Sequence, residues 1–135
     1  MNPPLRNKDD QEALLAGLLD GTIDMIATDH APHSAEEKAK GLRGSAMGVV
    51  GIETAFPLLY TYLVETGKMP LEMLIDRMAD APRRRFRIDG GMQVGDKAAV
   101  TVFDLHAREK IDPNNFLSKG HATPFEGWEV HAVCR

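Results

Sequence analysis

The feature that most limits what this chain can fold into is one short run, "TIDMIAT" at residues 22–28. It is apolar and β-rich, the composition of a strand covered on both faces of a parallel sheet. Nothing else before residue 88 reads as a strand, and one parallel strand cannot make a ladder alone. Its neighbours sharpen the difficulty. "KDDQEALLAGLLDGT" has an acidic first turn, apolar residues at Ala13, Leu14, Leu15, Leu18 and Leu19, and Gly21 as a stop. That pattern predicts a helix over 9–20. "VVGIETAFPLLYTYLVETGK" predicts a long helix over 49–66, with Pro57 near a kink or junction, and it is too apolar for an isolated surface element. "PLEMLIDRMADAPRRRF" predicts an amphipathic helix that starts at Pro70 and breaks at Pro82.

From Gly90 the character changes. "GGMQVGDKAAVTVFDL" reads as a glycine turn and an alternating strand, and "GWEVHAVCR" as a second strand. The fold class is therefore α/β, with a first unit over 1–88 and a β region over 89–135. With 135 residues the chain has room for one domain or for part of a larger one. Its unpaired strand leaves two readings, a heavily associating chain or a piece of something larger, and we take the second.

Charge and cysteine content exclude several classes. A net charge of −4 and a pI near 5.7 argue against a surface that tracks phosphates, so no nucleic-acid partner is expected. The basic knot "RRRFR" at 83–87 suits the C-terminal end of a helix. No apolar run approaches the ~20 residues that span a bilayer, and "MNPPLRNKDD" lacks the apolar core of a signal peptide. Cys134 is the only cysteine, which removes a disulfide framework and fits a reducing cytoplasm.

The chemistry gathers where the lone strand ends, in "ATDHAPH". Residues at the C-terminal ends of parallel strands face the active crevice, and Asp29 would stand there. A carboxylate at that place can ligate a divalent metal or move a proton. His33 follows His30 by three residues, past Pro32, and could turn toward the same crevice to meet an anion. Spacing alone leaves a plain alternative open, with Asp29 as a turn residue and both histidines exposed. The polar stretch after it, nearly twenty residues long, has the length of a functional loop. Glu36, Glu37 and Lys38 within it read as a solvated loop or short helix. His106, His121 and His131 read as surface or packing residues, and Met69, Met73 and Met78 as core filler.

Four segments in order, "MNPPLR" (1–6), "ATDHAPH" (27–33), "GVVGIETAFPLL" (48–59) and "GDKAAVTVFDL" (95–105), resemble class I bacterial dihydroorotase, of the amidohydrolase superfamily. The resemblance runs over essentially the whole chain but matches only the last third or so of such an enzyme. It implies the C-terminal part of a (β/α)8 barrel followed by strands of a small composite β-sandwich. "IDMIATD" would then be the last barrel strand, and 49–87 the closing helices. The enzyme it implies is cytoplasmic and zinc-dependent, and interconverts N-carbamoyl-L-aspartate and L-dihydroorotate in pyrimidine biosynthesis. Asp29 matches the aspartate that ligates the metal and serves as general base and acid, and His33 a histidine that binds the substrate carboxylate. Asn2 matches an asparagine in contact with the substrate ring, and Met47-Gly48 a loop whose backbone meets the substrate. His30 receives no role.

The unburied apolar faces predict a homo-oligomer, and the resemblance implies association of the complete enzyme with aspartate carbamoyltransferase. Two departures stand out. The His-x-His pair and later ligands that begin and complete the family's metal cradle are absent from residues 1–135, and Ala99 stands where relatives often carry an aspartate. The isolated chain is therefore expected to be inactive and to bind zinc weakly. A non-catalytic association module is the alternative of another class. Allantoinase or dihydropyrimidinase is the alternative within the superfamily, disfavoured because relatives of those kinds generally lack the second histidine of the motif.

Overall fold

A computed structural model describes residues 2–4 and 6–135. Helix α1 (Lys8–Asp20) opens on Asn7, whose side chain accepts the Asp10 N–H at 2.9 Å, and closes on Gly21 in the left-handed region. Its last turn has no basic residue of its own. Arg77 supplies the missing cation from elsewhere, donating from Nε and Nη2 to the Leu18 carbonyl at 3.3 and 3.2 Å.

The run 22–28 forms no strand here. The isolated parallel bridge nearest to it, between His30 and Val49, lies past its end, and the Ile26 N–H turns instead to the Arg77 carbonyl at 3.0 Å. A strand exists by pairing, and among the described residues no second strand lies beside it. The long loop that follows is partly ordered into two single turns, α2 (Ala35–Lys38) and α3 (Gly41–Gly44). Ser34 and Glu37 cap α2 reciprocally, each side chain satisfying the other's backbone N–H.

The expected helix over 49–66 begins only at Ala55. Residues 49–52 are committed elsewhere, Val49 to the bridge, Val50 N–H to the Ala122 carbonyl, and the Gly51 and Ile52 N–H groups to His30. Helix α4 (Ala55–Leu59) then widens into a π turn, Tyr60–Val64. Pro57 lies in the first turn of α4, where its missing N–H has no intrahelical partner to lose, and the helix changes register three residues later, at Tyr60.

Pro82 likewise does not break its helix. α5 (Leu71–Ile75) runs through a π turn, Asp76–Asp80, into α6 (Ala81–Phe86), which places Pro82 in the first turn of the last piece. Arg87, at φ 54°, ends it.

Strands β1 (Phe103–Lys110) and β2 (Glu129–Cys134) pair antiparallel, from Phe103 opposite Cys134 to Lys110 opposite Glu129, with an irregularity between Asp104 and Arg108. The strand expected from residue 95 thus starts eight residues later, and Val100 and Val102 stay exposed without a ladder. The core is small and lies where α4 meets the sheet: Leu58, Ile111 and Val130, with Phe116 and Phe125 against them. Phe56 stacks on Phe103 at 4.1 Å. The described chain is thus a mixed α/β assembly with one two-stranded sheet. Among the described residues no helix is long and apolar enough to cross a membrane.

Candidate functional site

The strip 28–33 is held by close backbone approach rather than by a sheet. A Cβ on Gly48 (φ 133°) would fall 2.5 Å from the Ala31 Cβ and 2.7 Å from the Ala31 oxygen. One on Gly51 would fall 2.7 Å from the Thr28 oxygen, and one on Gly120 would overlap the His33 backbone, 2.6 Å from its nitrogen. Three glycines from two distant segments therefore close on six residues, and any side chain at those places would push the strip away.

Asp29 stands in that strip at φ 46°, a left-handed conformation that costs a non-glycine residue of order 1–3 kcal/mol and is best tolerated by Asn and Asp. Its side chain is exposed and makes no hydrogen bond to a described residue. His30 faces inward. Its Nδ1 accepts the N–H groups of Gly51 and Ile52 at 3.1 and 3.2 Å, so that nitrogen is unprotonated and the ring pins the strip to the approach of α4.

His33 points to the other side of the motif. Its Nε2 lies 3.0 Å from the Met47 carbonyl, which can only accept, so Nε2 carries the hydrogen. Nδ1 then faces the Glu37 carboxylate at 3.8 Å. The Ser34 N–H and hydroxyl hold the Glu37 carboxyl below its usual range, with the charges of His33 and Lys40 adding to the effect. The same short loop is fastened a second time, because Lys38 Nζ donates to the Ala46 and Gly48 carbonyls at 2.9 and 2.8 Å.

Glu53, just before α4, takes the loop that carries Gly120. Its carboxylate accepts from the Leu117 N–H at 2.8 Å, the Ser118 N–H at 3.1 Å and the Ser118 hydroxyl. Burial pushes the Glu53 carboxyl up, but these hydrogen bonds and the nearby His30 outweigh it and leave the group below its ordinary value of 4.5.

The structure therefore brings His33, Met47 and Gly48 together, with Asp29 on the same strip. Asn2 lies apart in this respect. It is exposed before α1, and no hydrogen bond of its side chain joins it to a described residue. Sequence reading missed Gly51, Gly120, Glu53 and Lys38. The glycine pair in "GVVGIE" was the one visible signal, since two glycines three apart beside a polar motif mark close backbone approach. Glu53 holds Leu117, on the loop that carries Gly120, across 64 residues of sequence, a pairing no local pattern encodes.

Among the described residues no group of three His, Cys, Asp or Glu could hold a metal. A catalytic zinc commonly takes three protein ligands, and Asp29 offers one. The donors of this chain do not by themselves fit the metal.

No family model matches the chain. It is 60% identical over 129 residues to dihydroorotase from Anoxybacillus flavithermus, covering 95% of this chain and 30% of that protein. It is 58% identical over 134 residues to dihydroorotase from Shouchella clausii, covering 98% and 31%. Among solved structures it superposes on L-hydantoinase (dihydropyrimidinase) from Arthrobacter aurescens with a TM-score of 0.87 and 32% identity, covering 98% of this chain and 31% of that one. D-hydantoinase from Thermus sp. gives 0.86 and 31%, covering 99% and 31%. The chain spans about 30% of the length of the dihydroorotases it matches. Sequence and fold agree in what the chain is similar to: part of a dihydroorotase by sequence, and about a third of a hydantoinase by fold.

Proposed function

We propose that the chain is the C-terminal portion of a dihydroorotase that interconverts N-carbamoyl-L-aspartate and L-dihydroorotate. The observation that carries the reading is the 60% identity over nearly the whole of a chain that bears "ATDHAPH". In this reading residues 23–29 are the last strand of a (β/α)8 barrel, 49–87 its closing helices, and 95–135 part of a composite β-sandwich. Residues 1–88 and 89–135 are the two units. The missing ladder beside 22–28 supports this, because a barrel would provide one.

Asp29 then acts at the scissile ring amide. Its carboxylate takes a proton from the attacking water and delivers one to the leaving nitrogen, opening the ring; the reverse order closes it. Its exposure, with no hydrogen-bond partner among the described residues, suits its oxygens to that exchange. His33 offers its imidazole to the exocyclic carboxylate, with Asn2 and the Met47-Gly48 backbone against the ring. The zinc that the resemblance implies would need donors from outside this chain beside Asp29. A cytoplasmic homo-oligomer, associating with aspartate carbamoyltransferase when complete, belongs to the same reading.

A hydantoinase-type activity is the second reading, favoured by the names of the solved structures. His33 and the higher identity to dihydroorotases weigh against it. The test is a graft in which these residues replace the matching 129-residue stretch of the Anoxybacillus flavithermus enzyme. Turnover of dihydroorotate by the graft, lost in Asp29→Asn and weakened most for carboxylated substrates in His33→Ala, supports the proposal. A graft that opens only uncharged hydantoins sinks it.

A further inference from the structure

We infer that Lys38 is a positioning residue, whose ammonium fixes the backbone of the Met47-Gly48 loop so that its N–H groups face a ligand. This rests on the reading above and deepens it. Three successive carbonyls of that loop are occupied by side chains of one neighbouring turn. Lys38 Nζ takes those of Ala46 and Gly48 at 2.9 and 2.8 Å, and His33 Nε2 takes that of Met47 between them at 3.0 Å. The tie is doubled through the main chain. Ser45 Oγ donates to the Lys38 carbonyl at 2.6 Å, and the Ala46 N–H to the Glu37 carbonyl at 3.0 Å.

The donors are the complement of this pattern. The N–H groups of Met47 and Gly48 make no hydrogen bond to a described residue. A loop whose acceptors are all engaged and whose donors are not is suited to a ligand that presents oxygen, such as a carboxylate or ring carbonyl. Lys38 reaches this loop from a half-buried position, so its charge sits where two carbonyl dipoles replace water. Its cation adds a second benefit, since the field it sets up favours an anion nearby. No atom of Lys38 need touch the substrate or the reacting bond.

The test is Lys38→Met, which keeps the apolar stem and removes the donor. In the active graft we expect KM for dihydroorotate to rise tenfold or more while kcat stays within threefold, because ligand binding and not proton transfer is impaired. In the 135-residue chain itself, hydrogen exchange at the Ala46 amide, which is bonded to the Glu37 carbonyl, should speed tenfold or more while α1 is unchanged. Lys38→Gln, which keeps an N–H donor, should fall between, and it serves if Lys38→Met yields little folded protein. A lowered melting temperature with KM unmoved, or unchanged exchange at the Ala46 amide, overturns the inference. If the unsubstituted graft shows no turnover, the functional reading fails, and the exchange measurement alone decides whether Lys38 holds the loop.

Discussion

At the scale of residues, Asp29 combines two properties that rarely coincide in a merely structural side chain. It is held at φ 46° and its carboxylate has no described partner. Backbone strain that nothing local repays is characteristic of functional positions. Asp29→Gly should therefore separate stability from activity. Glycine adopts positive φ freely, so the melting temperature of the grafted enzyme should hold or rise, by about 1 kcal/mol of added stability. Turnover should fall by about 10²–10⁴, the usual worth of a positioned acid–base group. Equal loss of stability and turnover would mean that Asp29 serves the fold. The motif was legible at this scale because Asp29 and His33 are close in sequence and their chemistry is local. The inward turn of His30 was not legible, since it depends on N–H groups of Gly51 and Ile52, more than twenty residues away.

At the scale of elements, the site is a strip clamped between loops, and the clamp has a pH-sensitive fastening. The folded Glu53 carboxyl lies below its ordinary value of 4.5. Its contribution is thus complete above that value and is lost as pH falls through the lower, folded one. Hydrogen exchange at the Leu117 and Ser118 amides should accelerate across that acid window, and Glu53→Gln should flatten the dependence. Unchanged acid sensitivity in Glu53→Gln would assign it to another group. The glycines give a second test. Gly120→Ala should cost about 3 kcal/mol, as for an overpacked contact, because the new methyl overlaps the His33 backbone. Gly67→Ala, at φ 71° in open space, should cost only about 1 kcal/mol of backbone strain. Equal shifts in melting temperature would remove the clamp. Helix α1 could be read from its caps and periodicity alone. The π turns at 60–64 and 76–80 could not, because proline punctuation reports where a hydrogen bond is lost and not how a helix re-registers around it.

At the scale of the molecule, exposed area decides what the chain can do alone. A folded monomer of 14.9 kDa should expose about 7,000 Å², whereas this chain exposes 9806 Å². The excess is larger than a standard protein–protein interface buries, about 1,600 Å² in total. Part of it is clustered: Ile88, Met92, Val94, Val100 and Val102 lie within one fifteen-residue stretch, and each is more than half exposed. That stretch carries the alternation of a strand and has none of the charges or prolines that protect an edge after Lys97. The isolated chain should therefore self-associate, with a sedimentation coefficient that climbs with concentration through the micromolar range. Val100→Lys with Val102→Lys should suppress that climb, because lysines on an open edge oppose strand addition. The same pair of substitutions in the grafted enzyme should cut folded yield if the edge is covered there by the rest of the protein. A concentration-independent monomer from the unsubstituted chain would show that this surface tolerates water, and the case for a missing partner would rest on sequence likeness alone.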